Sequence, residues 1–226
     1  MYVEAFMRLY FIRHGETDWN DQKKLQGWHD VPLNEKGIIL AEQTYENKLK
    51  EISFDLVITS PLKRTIETAR LATGGADIPY IMEPRIMEIN WGEWDGWTRE
   101  QFRESHQAAK FNLFYTDPFQ YPGAPGGETV RQVCERTKDF LQELIANPDY
   151  QEKTILISSH GCATRAILNS VYDDPADFWH GGVPANCAVN IAEVKDGKFS
   201  LLKEDQIYYD PALLIKNQYV PIETDC

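Results

Sequence analysis

Positive charge is what this chain most lacks. Lys and Arg number 23 against 35 Asp and Glu, and the formal net charge is −12 with the His residues counted neutral. A field of that sign repels nucleic acid and anionic membranes, so neither is expected as a partner. An anionic substrate must instead be met by a local cluster of cations. Long apolar runs are missing too: no stretch approaches the ~20 residues that span a bilayer. The opening MYVEAF is acidic and too short for the apolar region of a secretory signal, and Met7 is a candidate native start because the first strand begins directly after it. Cysteine is scarce, with only Cys134, Cys162, Cys187 and Cys226, none in a C-x-x-C pair and none at zinc-finger spacing to a histidine. These read as reduced thiols of a cytoplasmic protein. Cys162 lies two residues from His160, yet a free cysteine is most often a small core residue, and that reading is preferred to a nucleophile. There is no internal repeat, low-complexity tract or long linker, and nothing in the pattern specifies an oligomeric state.

What is present suits one domain over residues 1–226, with 42% hydrophobic and 26% charged residues. Strand-like and helix-like segments alternate. RLYFI, FDLVITS and TILISS read as buried strands. NEKGIILAEQTYENKLKE reads as a helix capped by Asn34, PLKRTIETARLA as a helix with proline in its first turn, and CATRAILNSV as a third helix. ETVRQVCERTKDFLQELIA is a long amphipathic helix whose stripe is Val130, Val133, Phe140, Leu141, Leu144 and Ile145, with Glu128 or Thr129 as its cap. CAVNIAEV and KFSLLKE, joined by KDG, read as a hairpin. The pattern predicts an α/β three-layer sandwich with a mainly parallel central sheet flanked by helices. Residues from about 86 to 127 break the alternation, are rich in tryptophan and phenylalanine, and are expected to form an inserted lid region over the site.

Three predicted strands end in polar residues. LYFI runs into Arg13-His14-Gly15, LVIT into Ser60-Pro61 with Arg64 following, and ILIS into Ser159-His160-Gly161. In a parallel sheet, ligands bind outside the carboxyl ends of the strands. If these three are neighbours, two imidazoles, two guanidiniums and the N-termini of the following helices converge in a phosphate pocket. A single histidine after a strand, or one arginine in KRT, would be ordinary surface chemistry; the repeated arrangement is what points to a site. His29, His106 and His180 have no such setting and are read as structural.

RHGETDWN (13–20), LQGWHDVPLNEKG (25–37), SPLKRTIETA (60–69), MEINWGEWDGWT (87–98), GGET (126–129) and SSHG (158–161) occur in an order that resembles the histidine phosphatase superfamily, the phosphoglycerate-mutase-like proteins. The resemblance implies that His14 is the nucleophile, attacking phosphorus to form a phosphohistidine. It implies that Arg13, Arg64 and His160 bind the phosphoryl oxygens, that Asn20 donates its amide, and that the Gly161 N–H adds a donor. Gln26 and Gly27 match positions that face the substrate, and Thr17 either contacts it or supports the turn. Glu88 falls where the family carries its proton donor, with Glu93 and Asp95 as nearby competitors; burial under tryptophans would favour its protonated form. PGGET lacks the G-K-[ST] of a P-loop and is read as shaping the site.

Phosphatases and mutases share this pattern. Glycolytic mutases carry a stretch like ERHYGALQGLNK after the acid, whereas this chain has EINWGEWDGWTRE and no arginine between Arg103 and Arg131. The expected activity is therefore metal-independent hydrolysis of a small phosphorylated metabolite, with no cofactor. The alternatives are a phosphoglycerate mutase and, less favoured, a non-catalytic phospho-ligand binder. A metal-dependent hydrolase built on His14, His160 and Glu88 is disfavoured because the arginines would repel a cation.

Overall fold

The computed structural model describes residues 6–214 and residue 222; Met1 and Cys226 lie outside them. The chain folds as β1 (Met7–Arg13), α1 (Asp18–Asp21), α2 (Glu35–Asn47), β2 (Leu56–Thr59), α3 (Lys63–Ala72), β3 (Tyr80–Met82), α4 (Arg99–Glu104), α5 (Ala108–Thr116), α6 (Val130–Ala146), β4 (Thr154–Ser159), α7 (Gly161–Asn169), β5 (Val189–Lys195) and β6 (Lys198–Gln206). The six strands form one sheet in the order β3-β2-β4-β1-β5-β6. β3, β2, β4 and β1 run parallel, while β5 and β6 are antiparallel and close one side.

Successive strand residues face opposite sides of a sheet, and β1 shows how this makes three layers. Met7, Leu9 and Phe11 join Ile155 and Ile157 of β4 in a core that α6 and α7 cover with Phe140, Leu141, Leu144, Ile167 and Leu168. Tyr10 and Ile12 point the other way, into a core with Leu40 and Ala41 of α2 and Ala69 and Ala72 of α3. β1 is apolar on both faces because both faces are covered.

Local chemistry sets several element ends. Asn34 caps α2, its side chain accepting the Gly37 N–H at 2.8 Å. Thr129, not Glu128, caps α6, in a reciprocal capping box with Gln132. Pro61 precedes the Leu62 N-cap, so it stands outside α3 rather than in its first turn. The β5–β6 turn places Asp196 and Gly197 at φ 51° and 73°, the two-residue geometry that matches the twist of a hairpin. The three-residue β3 carries no periodic signal and was not expected. Among the described residues, no helix is long and apolar enough to cross a membrane.

Residues 86–127 build a third, aromatic core. The Trp91 ring lies 4.7 Å from Phe114 and 6.0 Å from both Phe111 and Tyr121. This cluster packs on Val130 and Val133 of α6 and on Cys162 and Ala166 of α7, beside the carboxyl ends of the parallel strands.

Candidate active site

Register alone brings the strand ends together. Arg13 pairs with Ser159 and Thr59 with Ser158, so His14, Ser60 and His160 leave adjacent strands at one edge. The His14 N–H donates to the Ser159 carbonyl at 2.9 Å, and the two imidazoles meet edge to face with centroids 5.2 Å apart.

Glycine makes the first corner possible. A Cβ on Gly15 would stand 2.6 Å from the Gly37 carbonyl oxygen, and one on Gly37 would stand 2.1 Å from the Glu16 carbonyl. Two backbone segments cross here at contact distance, which only α-carbons without a Cβ permit. The crossing turns the chain sharply after His14 and fixes its ring.

The His14 Nδ1 lies 2.7 Å from the Gly15 carbonyl, which can only accept, so Nδ1 carries the proton and Nε2 carries the lone pair. Burial, then the charges of Arg64 and Arg13, hold this imidazole well below its ordinary value of 6.5. His160 is neutral for the same first two reasons, burial and then Arg64. Arg64 Nε donates to His160 Nδ1 at 3.3 Å, so His160 Nε2 bears the proton and donates to the Ser60 hydroxyl at 2.8 Å. Both His160 nitrogens are thus engaged within the protein. Arg64 is fully buried, and it also donates to the carbonyls of Gly27 at 2.7 Å and His29 at 2.9 Å. Burial lowers its guanidinium to about 10, still charged at neutral pH. Arg64 and His160 therefore stand beside His14, held by these contacts with the protein.

The cavity in front of His14 measures about 40 Å³ and is lined by Arg13, Asn20, Gln26 and Glu88, with Trp91 and Trp179 among its walls. That is room for roughly three waters. Two polar atoms here are buried without a partner, Arg13 Nε and Gln26 Nε2. Arg13 otherwise donates to the Pro184 carbonyl. The Gln26 carbonyl oxygen accepts from the Thr17 hydroxyl at 2.7 Å, which fixes the amide so that its nitrogen is the end left over. Asn20 is oriented likewise: its Oδ1 accepts from the Thr17 N–H at 3.2 Å and from Asn186 Nδ2 at 3.3 Å, leaving Nδ2 as the donor. Thr17 is completely buried and acts as the N-cap of α1, so it supports the turn. Gly27 has its N–H on Asp95 Oδ1 at 2.8 Å and its carbonyl on Arg64, so it positions that arginine. Gly161 begins α7 with its α-carbon packed against Val183 and Arg13.

Glu88 is buried against the start of α7. Its Oε1 accepts N–H groups of Ile89 at 3.0 Å and Ala163 at 3.1 Å, and its Oε2 accepts that of Cys162 at 3.2 Å. Three backbone donors thus fix the orientation of this carboxyl group. Of its competitors, Asp95 is committed to the N–H groups of Gly27 and His29, and Glu93 is exposed. Cys162 is an inert thiol: burial first, then Glu88, pushes it well above its ordinary value. Among the described residues, no group of three or more His, Cys, Asp or Glu side chains could hold a metal ion.

Several positioning residues gave no sequence signal. Arg136, midway along α6, donates to the carbonyls of Arg85, Met87 and Glu88 at 2.6, 2.8 and 3.0 Å. It is itself gripped by Glu128 of the PGGET segment at 2.8 and 3.0 Å. Together they hold the loop that carries Glu88. Asn186 donates to the His14 carbonyl at 3.0 Å from a loop without any motif.

A paired arginine and imidazole at a strand end, a free Nε2 on a neutral histidine, and orphaned donors facing it agree with what comparison of the whole chain finds. A sequence profile of the Histidine phosphatase superfamily (branch 1) matches residues 9–206. The chain belongs to that superfamily. Its relatives divide between the two expected activities. A 2,3-bisphosphoglycerate-dependent phosphoglycerate mutase of Bifidobacterium longum is 31% identical, the match covering 90% of this chain and 92% of that one. The uncharacterized phosphatase PhoE of Bacillus subtilis is 32% identical over 80% of this chain and 85% of its own length. The solved structure of Bacillus stearothermophilus YhfR superposes with a TM-score of 0.82 at 31% identity, covering 88% of this chain and 97% of that one. The α/β fold with its helix-flanked sheet is the fold of these histidine phosphatase relatives.

Proposed function

We propose that this protein hydrolyses phosphomonoesters of small metabolites through a phosphohistidine on His14, without a metal or cofactor. The observation that carries the reading is the His14 tautomer: the Gly15 carbonyl holds Nδ1 as donor, so Nε2 is a lone pair facing the small cavity. Arg13 Nε, Gln26 Nε2 and Asn20 Nδ2 are the donors available to the phosphoryl oxygens. Positioning and charge neutralisation are most of what phosphoryl transfer asks of a protein. In the first step Nε2 attacks phosphorus, the bond to the ester oxygen breaks, and that oxygen takes a proton from Glu88. In the second, water attacks the phosphohistidine, Glu88 takes the water proton, and His14 and inorganic phosphate are regenerated. Beyond burial, the Arg64 charge helps keep the nucleophile neutral, and the His160 ring packs against it. Residues 86–127 serve as the lid whose tryptophans exclude bulk water.

The second reading is a phosphoglycerate mutase. It draws on the Bifidobacterium relative and on cations near the site that come from outside the Arg103–Arg131 interval: Lys23, Lys24, Lys36 and Arg99. Hydrolysis is preferred because the space beside the phosphoryl cavity, about 410 Å³, is far larger than a three-carbon acid fills.

Rapid quenching with phosphorus-labelled substrate tests the proposal. An acid-labile, base-stable phosphoenzyme is expected in the parent protein and none in His14→Ala, whose turnover should vanish. Normal turnover in that variant would overturn the mechanism. Adding bisphosphoglycerate with monophosphoglycerate separates the readings: isomerisation faster than phosphate release would mean a mutase.

A further inference from the structure

We propose, resting on the phosphatase reading above, that Asp95 is a positioning residue: it grips the segment that carries Gln26 and so aims the Gln26 amide at the phosphoryl group. Two stretches far apart in the chain meet here, LQGWHD around Gln26 and GEWDGW around Asp95. Gly27 and Asp95, which bond to each other, are 68 residues apart. Gly96 follows Asp95 at φ 86°, a turn that lets the carboxylate before it and the carbonyl after it address the same neighbour.

The grip is a short ladder. The Leu25 N–H donates to the Trp97 carbonyl, and the Gly96 N–H to the Leu25 carbonyl, each at 2.9 Å. Asp95 continues the ladder with its side chain. Its Oδ1 accepts the Gly27 N–H at 2.8 Å, and its Oδ2 accepts the His29 N–H at 2.9 Å. Gln26 is therefore bracketed, because both of its chain neighbours are tied to residues 95–97. Arg64 donates to the carbonyls of the same two residues, Gly27 at 2.7 Å and His29 at 2.9 Å. The segment is thus held by an anion on its N–H groups and by a cation on its carbonyls. Hydrogen bonds with one ionised partner are roughly twice as strong as neutral ones, and both grips are of that kind.

What the grip serves is Gln26. Its carbonyl oxygen accepts from the Thr17 hydroxyl at 2.7 Å, and its buried Nε2 has no partner in the protein. Gln26 lines the small cavity together with His14, Arg13 and Glu88. A neutral amide has no net charge with which to draw a phosphoryl oxygen from a distance, so it contributes only where its N–H already points. Thr17 fixes the far end of the side chain; the backbone from which that side chain springs is fixed by Asp95. Both Asp95 oxygens are spent on the segment, so the carboxylate acts through Gln26 and not on the substrate. Asp95→Asn is nearly isosteric but keeps only one accepting oxygen, so one of the two N–H groups would meet an NH2 instead.

The test is inhibition by vanadate, a five-coordinate mimic of the phosphoryl group in transfer, on the parent protein, Asp95→Asn, Gln26→Leu and the double variant. Asp95→Asn should raise the vanadate inhibition constant about tenfold, equivalent to about 1.4 kcal/mol, and kcat/KM for p-nitrophenyl phosphate should fall by a similar factor. In the Gln26→Leu background the same substitution should raise that constant by less than about threefold, because the donor it positions is gone and the two effects are not additive. A merely structural loss would weaken both backgrounds alike. Thermal melting checks that each variant is folded. If Asp95→Asn does not fold, Asp95→Glu takes its place in the same cycle, since it keeps both oxygens but carries them one methylene further out. An inhibition constant unchanged in Asp95→Asn, or raised by the same factor with and without Gln26, would overturn the inference and leave the phosphatase reading intact. A parent protein that neither binds vanadate nor hydrolyses a phosphomonoester would overturn that reading, and the inference with it.

Discussion

The neutral histidine pair ties the chemistry of the site to the stability of the fold through pH. His14 and His160 are both buried, 3% and 0% exposed, and share the neighbouring Arg64 charge. Each is held well below the ordinary value of 6.5 that it regains on unfolding. As pH falls below that value, the unfolded chain binds protons that the folded one refuses. The folded state is then penalised by about 1.4 kcal/mol per pH unit for each such histidine, or about 2.7 for the two. Stability from this source is complete above about pH 6.5 and is lost progressively on the acidic side. Glu83, whose carboxyl is lowered from 4.5, titrates below this window. The assay is urea unfolding followed by tryptophan fluorescence between about pH 5 and 7.5, on the parent protein and on His14→Gln. Below pH 6 the stability difference between them should change by about 1.4 kcal/mol per unit, the variant being the less acid-sensitive. Parallel pH profiles would mean that His14 protonates freely in the folded state, and the neutral-nucleophile argument would fail.

Glu88→Gln should slow single-turnover phosphorylation on the order of 10²–10⁴-fold for alkyl phosphates and much less for a nitrophenyl ester, whose leaving group departs almost unaided. Slowing by the same factor across a leaving-group series would show that Glu88 only shapes the cavity. Gly37→Ala should destabilise by about 3 kcal/mol, because its Cβ would meet a backbone oxygen at 2.1 Å that no rotamer change can move. For a chain of this size that lowers the melting temperature by about 6–12 °C. A variant melting within a degree of the parent would show that the α2 start shifts freely past Glu16.

Much of the molecule follows from its sequence for physical reasons that act locally. LYFI is apolar or aromatic at every position and buried throughout, and only a strand covered on both faces needs that. Asn34 and Thr129 offer the backbone a better partner than water does and so begin their helices. The recurrence of His-Gly after two apolar runs required only that the two strands be neighbours. What the tertiary structure alone decided is which groups these side chains contact. Arg64 and His160 look equivalent to Arg13 along the chain. Packing ties Arg64 to Gly27, His29 and His160, and His160 to Ser60, beside His14. The Gly27 carbonyl accepts from that arginine. The grip of Arg136 on the Glu88 loop crosses from α6 to a segment 48 residues earlier, and no periodicity encodes such a contact. Lys23, Lys24 and Arg99 lie outside every motif along the chain, and Lys36 lies inside one. They line one cavity only because the turn after α1, the first turn of α2 and the first turn of α4 face the same space. Local propensity sees neighbours in sequence, whereas a charge acts through space on whatever the fold brings near it.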